Sequence, residues 1–244
     1  MRKHQFCSNA PPVMTYTLTL KATSSILRAS YFPPIDLSID NGEWSIALIN
    51  FEAYNSIYNV TDSNNKLHLD NDEVVEISPG IYDIQDLILA IKSAVKGIDL
   101  RVDANMLKTE ISTRERSIDF TKEGSLGPLL GFAKTQYLEK NPHEIYKSKY
   151  VFNIQPVSTI CVECNIATNA YLNNSLKHTI FEFFPKVGPS IEIVEEPANP
   201  IYLPVIVQTL DYLECRITDQ NDKLIDFRGD EIVLRLHLKN KKVW

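Results

Sequence analysis

Apolar and polar positions alternate along most of this chain. Thr15-Tyr16-Thr17-Leu18-Thr19-Leu20 has the two-residue period of a half-buried strand. Glu231 to Leu238 repeats it: Ile232, Leu234, Leu236 and Leu238 share one face, and Val233, Arg235 and His237 share the other. Glu43 to Phe51 begins with the same alternation. It then becomes more apolar, as expected of a strand covered on both faces. Further strands are expected at Lys66–Leu69, Asp72–Ile77, Tyr150–Gln155, Thr159–Asn165, Thr179–Phe184, Ile191–Val194, Ile201–Val207 and Cys215–Thr218. The spacing is that of a sandwich or barrel. Pro33-Pro34 reads as a loop, and Asn41-Gly42, Asp62-Ser63-Asn64-Asn65 and Asp219-Gln220-Asn221-Asp222 read as turns.

One segment breaks the period. Ile84, Leu87, Ile88, Ile91 and Val95 fall on one helical face, with Gln85, Asp86, Lys92 and Lys96 on the other. Asp83 is the expected N-cap and Gly97 the stop. A single apolar stripe needs a sheet to cover. After it, Lys108–Thr113 and Ser117–Phe120 flank Arg114-Glu115-Arg116 and read as a hairpin. Leu126, Leu129, Leu130 and Phe132 then suit a packed helical turn in a glycine-rich stretch, and Ala133 to Lys149 reads as a long surface loop.

The bulk numbers change little. The chain has 244 residues, 44% hydrophobic and 23% charged, enough to bury a core. A net charge of −6 argues against a broad nucleic-acid footprint. No apolar run is long enough for a transmembrane helix, and the basic start Met1-Arg2-Lys3-His4 lacks the apolar core of a signal peptide. Without a secretory route, Cys7, Cys161, Cys164 and Cys215 are expected as free thiols, and the sequons at Asn59 and Asn173 are expected to stay unmodified.

Candidate chemistry is sparse. Cys161-Val162-Glu163-Cys164 lacks the second ligand pair of a zinc site, and its odd spacing on a strand sends the thiols to opposite faces. The five histidines (His4, His68, His143, His178 and His237) fit no nucleophile or metal motif. Asp72-Glu73, Glu195-Glu196 and Asp230-Glu231 are adjacent on strands, so the carboxylates diverge and make no hydrolytic pair. Arg228-Gly229-Asp230 matches an adhesion tripeptide but sits where a turn already calls for glycine. No catalytic residue, metal ligand or cofactor is assigned.

Three blocks carry a resemblance. Glu76-Ile77-Ser78-Pro79-Gly80-Ile81-Tyr82-Asp83, leading into the helix through Val95, looks like the strand, P-G-x-Y, helix unit of virion proteins. Gly124 to Phe132 follows it, and Lys223 to Leu238 is similar to the end of the penton-type minor capsid proteins of Polinton (Maverick) elements and adintoviruses. In order, the blocks resemble that family over roughly residues 40–240. The resemblance implies an all-β fold, a single jelly-roll β-sandwich of two antiparallel four-stranded sheets. It implies a homopentamer at the five-fold vertices of a virion, in contact with a double jelly-roll major capsid protein.

The expected organisation is therefore an N-terminal tail over 1–11, one jelly-roll domain over 12–239 with a helix-plus-hairpin insertion at about 78–132, and a C-terminal tail over 240–244. Interface contacts are expected from the loops carrying Tyr54, Tyr58, Tyr137, His143 and Tyr146. The competing expectation is a sandwich-type recognition or adhesion module, with exposed tyrosines as its glycan or protein contacts.

Overall fold

The computed structural model describes residues 14–38, 43–155, 157–188 and 190–240. The expected tails, Asn240 apart, and the Asn41-Gly42 turn lie outside the described residues. The chain divides into two compact units, residues 1–55 with 159–244 and residues 56–158. The inserted unit is thus wider than the expected 78–132.

In chain order the first unit supplies β1 (Thr15–Ala22), β2 (Ile26–Asp36) and β3 (Trp44–Tyr54). The second unit adds β4 (Lys66–Leu69), β5 (Val74–Glu76), α1 (Ile84–Ala94), β6 (Asp99–Asp103), β7 (Lys108–Ser112), β8 (Ile118–Asp119), β9 (Tyr137–Leu138) and β10 (Ile145–Lys147). The chain returns with β11 (Ile160–Cys164), β12 (Ala170–Leu172), β13 (Ser175–Lys177), β14 (Thr179–Phe183) and β15 (Glu192–Glu195). It ends with β16 (Leu203–Pro204), β17 (Thr209–Thr218) and β18 (Ile232–Asn240).

The first unit is a jelly roll. One antiparallel sheet runs β1-β18-β3-β15, with β16 also on β3, and the other runs β14-β11-β17-β2. The inserted unit therefore leaves between β3, a strand of the first sheet, and β11, a strand of the second. The alternation read from the sequence is what fills the sandwich. Leu18 and Leu20 of β1 and Ile232, Leu234, Leu236 and Leu238 of β18 are buried, while Arg235 is exposed. β3 is buried from Trp44 through Leu48 without a break, as a two-sided strand should be. Phe51 meets Phe183 of the facing sheet edge-on, with centroids 5.0 Å apart.

Pro33-Pro34, expected as a loop, lies inside β2. Ser30 pairs with Tyr212 and Ile35 with Leu210, so Tyr31 to Pro34 bulge out opposite Asp211 alone. β2 is an edge strand, where a missing N–H costs no ladder bond. The expected strand at Ile201–Val207 shrinks to Leu203–Pro204, and Tyr150–Gln155 forms no strand.

The second unit has its own core, with Val60, Leu67, Leu69, Leu87, Ile91, Leu100, Ile111, Phe120 and Leu138 among its buried residues. Its width beyond 78–132 comes from Val60, Leu67, Leu69 and Leu138, which pack in that core. Asp83 caps α1 as expected, its carboxylate accepting from the Asp86 N–H at 2.8 Å. Leu87, Ile88 and Ile91 are buried, and Gly97 takes a φ of +82° just past the end. The expected hairpin of 108–113 with 117–120 does not form. β7 pairs with β6 and β10, whereas β8 pairs with β4 and β9. The residues between are drawn elsewhere: Glu115 donates its N–H to Gly97 O at 3.0 Å, and Arg116 forms ion pairs with Asp70 and Glu73. The loop expected over Ala133–Lys149 carries β9 and β10.

The P-G-x-Y motif is held by one side chain. Asn59 donates from Nδ2 to Tyr82 O at 2.7 Å and to Ile154 O at 2.8 Å, and its Oδ1 accepts from the Tyr82 N–H at 3.0 Å. Next to it, Val60 and Gly80 exchange both backbone hydrogen bonds. Asn59 is buried. Replacing it with Ala strands a part-buried N–H and two carbonyls, and is expected to cost about 1–3 kcal/mol, read as a lower denaturant midpoint.

Gly131 and Gly229 both have positive φ, +82° and +84°. A Cβ at Gly131 would run into the carbonyl of Tyr150, whereas one at Gly229 meets nothing within 4 Å. Gly131→Ala is therefore expected to lower the melting temperature clearly more than Gly229→Ala, since only the first adds a backbone clash to the strained φ.

Candidate interaction surfaces

The first unit has a groove of about 470 Å3 beside β11 and β14, bounded by the β12–β13 hairpin. Its apolar lining includes Tyr171, Leu172, Phe181, Ile201 and Leu203. Tyr171 and Ile201 are 69% and 64% exposed, so this surface faces solvent rather than the core. The charged groups of the lining are Glu182, Asp219, Asp222 and Lys177. Lys177 is engaged by Asp222 at 2.5 Å. The groove is thus apolar in surface and negative in field.

Cys161 registers that field. It lines the groove half-buried. Burial, then the carboxylates of Glu182, Glu163, Asp222 and Asp219, push its thiol up to about 11. Cys164, on the opposite face of β11, is buried in register with Cys215 of β17. The odd spacing of the pair therefore separates the thiols as expected, and Cys161, Cys164 and Cys215 are free. Among the described residues, no three His, Cys, Asp or Glu groups converge to hold a metal.

Elsewhere on the first unit, the face of the β14-β11-β17-β2 sheet that carries Glu214 is crossed by ion pairs. Arg28 meets Glu214 at 2.8 Å and Arg216 meets Glu163 at 3.3 Å. Such exposed pairs add little stability, but they fix a charge pattern. On the other sheet Tyr202 Oη lies 2.6 Å from His237 Nδ1, and Lys239 Nζ stands 3.3 Å from the centre of the Tyr202 ring. Burial, then Lys239, holds His237 below its ordinary value. His237 is thus a structural partner of Tyr202.

The five expected interface residues are dispersed. Tyr54 ends β3 in the first unit and is 53% exposed. Tyr58, Tyr137, His143 and Tyr146 belong to the second unit. Tyr137 and His143 are exposed, whereas Tyr58 is half-buried. Tyr146 packs against the second unit's core. Of the sequons, Asn59 is consumed by the hydrogen bonds above, and Asn173 sits at the β12–β13 turn with φ +53°. In the adhesion-like tripeptide, Arg228 turns back to Asp226 at 2.9 Å. Sequence reading missed the groove. Its only signal was the apolar pair Tyr171-Leu172 inside the polar run Asn169 to Asn174.

No family model matches the chain, and no curated protein is matched by its sequence. Among solved structures, the mavirus penton protein aligns with a TM-score of 0.52 at 11% identity. The alignment covers 94% of this chain and 99% of that one. The likeness is one of fold. It is too extensive to leave out an inserted unit of this length.

The thiol environment is directly testable. Alkylation of Cys161, with peptide mass mapping as the readout, is expected to keep accelerating up to about pH 11 instead of levelling off near 9, because only the thiolate reacts. Cys164 and Cys215 are expected to stay unmodified until the protein unfolds.

Proposed function

We propose that this protein is a structural capsid component of the penton type. The observation that carries the reading is the fold likeness to the mavirus penton protein across 94% of this chain and 99% of that one, on a jelly roll of matching class. The three sequence blocks that resemble the minor capsid proteins of Polinton elements and adintoviruses support the same reading independently, and point to an element of that kind as its source.

On this reading the chain performs no chemistry of its own. It assembles as a homopentamer, sits at the five-fold vertices of an icosahedral virion and contacts a double jelly-roll major capsid protein. Subunits of a five-membered ring meet through heterologous surfaces, one patch against a different patch of the next copy. Exposed side chains on both units, Tyr54 and Tyr137 among them, are available for such contacts. The negative net charge suits a protein that binds other proteins rather than packaged nucleic acid.

Light scattering of the purified protein over a range of concentrations, with negative-stain imaging, tests the reading. The expected result is a mass of five subunits and rings of five-fold symmetry, alone or on mixing with the major capsid protein. A monomer under both conditions overturns it. If that monomer captures glycans on an array, the recognition-module reading takes its place.

A further inference from the structure

The groove beside β11 and β14 calls for an occupant that is apolar and positively charged. Its lining exposes Tyr171, Leu172 and Ile201. Three carboxylates line it, Glu182, Asp219 and Asp222, against one lining cation, Lys177; Asp222 holds Lys177, and Asp219 Oδ1 accepts from the Asn221 and Lys223 N–H groups. An apolar partner gains by leaving water there, and a cationic one gains from the field.

The chain carries such a segment at its start. Met1-Arg2-Lys3-His4-Gln5-Phe6-Cys7-Ser8-Asn9-Ala10-Pro11-Pro12-Val13 has two basic residues and an aromatic ring, and no acidic residue. The charge is complementary to the groove. The whole chain carries a net charge of −6 with these two cations counted, so the residues after the segment are still more acidic.

Reach favours the same molecule. Thr15 pairs with Lys239, Lys239 with Ser45 and Ser45 with Pro204, so these four residues form one row across the sheet. Leu203, next to Pro204, lines the groove. Three strand spacings separate the two ends of that row, about 14 Å. Thirteen extended residues span about 43 Å, and the seven steps from Cys7 to Met14 span about 23 Å. Phe6 and Cys7 can therefore arrive at the groove while Arg2 and Lys3 continue past it toward the carboxylates.

We propose that residues 1–13 of this chain occupy the groove of their own jelly roll, with Phe6 on the apolar lining and Arg2 and Lys3 against Glu182, Asp219 and Asp222. This goes beyond the capsid reading and does not rest on it. An occupied groove keeps its apolar lining out of water.

Native cysteines report the contact. Cys161 lines the groove, Cys7 comes directly after Phe6, and Cys164 and Cys215 are buried. In the full-length protein, mild oxidation with diamide is expected to give a Cys7–Cys161 disulfide within one chain, seen by peptide mapping of the species that runs as a monomer under denaturing, non-reducing conditions. At fixed pH, Cys161 is expected to alkylate about tenfold more slowly in the wild type than in an Arg2→Glu, Lys3→Glu, Phe6→Ala variant, since protection tracks the fraction of time the groove is filled. The variant alters only the segment ahead of the sandwich, so its melting temperature serves as the folding control. Equal Cys161 rates in the two proteins overturn the proposal. So does a Cys7–Cys161 link found only between chains, which gives the groove to the arm of a second copy.

Discussion

Both sheets of the jelly roll close around β3. Its hydrogen-bonding edges are taken by β18 on one side and by β15 and β16 on the other. Its faces are buried from Trp44 to Leu48, and Phe51 reaches into the facing sheet. All of these partners come from the last third of the chain, so β3 cannot be satisfied until the whole chain is present. Such long-range pairing makes folding slow for the size of the sandwich. It also explains where an extra unit can enter. Asn55, just past β3, is tied down: its N–H donates to Ile191 O at 3.0 Å, its carbonyl accepts from the Ser190 N–H at 2.9 Å, and its Nδ2 donates to Val187 O at 2.9 Å. The strand is sealed before the chain leaves the sandwich, and the inserted residues can vary without unzipping the sheet.

The inserted unit solves the same problem on a smaller scale. Its strands are short, several of only two or three residues, and short strands cannot hold a sheet by ladder bonds alone. Two other devices compensate. One is a core gathered from all its elements, in which Phe120 and Phe132 stack at 5.0 Å. The other is a set of polar clamps on backbone groups, with Asn59 on the P-G-x-Y turn and Asn65 donating from Nδ2 to Ile77 O at 2.9 Å. Each clamp satisfies main-chain groups that a longer strand would have paired.

The legible parts of the sequence were those where one period dominates. β1 and β18 alternate against a single core, β3 is apolar on both faces, and α1 carries its cap and its stripe, so burial follows the pattern along these elements. Pairing was not legible. Lys108–Ser112 and Ile118–Asp119 look like a hairpin because they are adjacent and extended, yet the chain between them is captured by Gly97, Asp70 and Glu73, partners that local sequence does not reveal. β2 was hidden because Pro33-Pro34 reads as a break, and only an edge position with a wide bulge reconciles it with a strand. The groove was hidden for a different reason. It is made of residues from β11, β12, β13, β14, β16 and three connections, and no short window of sequence contains it.

That asymmetry bears on how far fold can speak for function at 11% identity. Inner faces of a sandwich demand little more than apolar residues of suitable volume at alternate positions, so very different sequences satisfy the same topology. Outer faces, edges and loops are free of that demand. A jelly roll will therefore keep its strand order while its surface chemistry drifts, and a likeness at this identity speaks for the fold alone. In this chain the surface departs from a neutral solvated face at the groove, where exposed apolar side chains meet an excess of carboxylates. Exposed apolar side chains such as Tyr171, Leu172 and Ile201 lose free energy to water, and the carboxylates beside them exceed the one lining cation, Lys177. A covering segment removes both costs at once, and the basic, acid-free start of the same chain has the composition to do it.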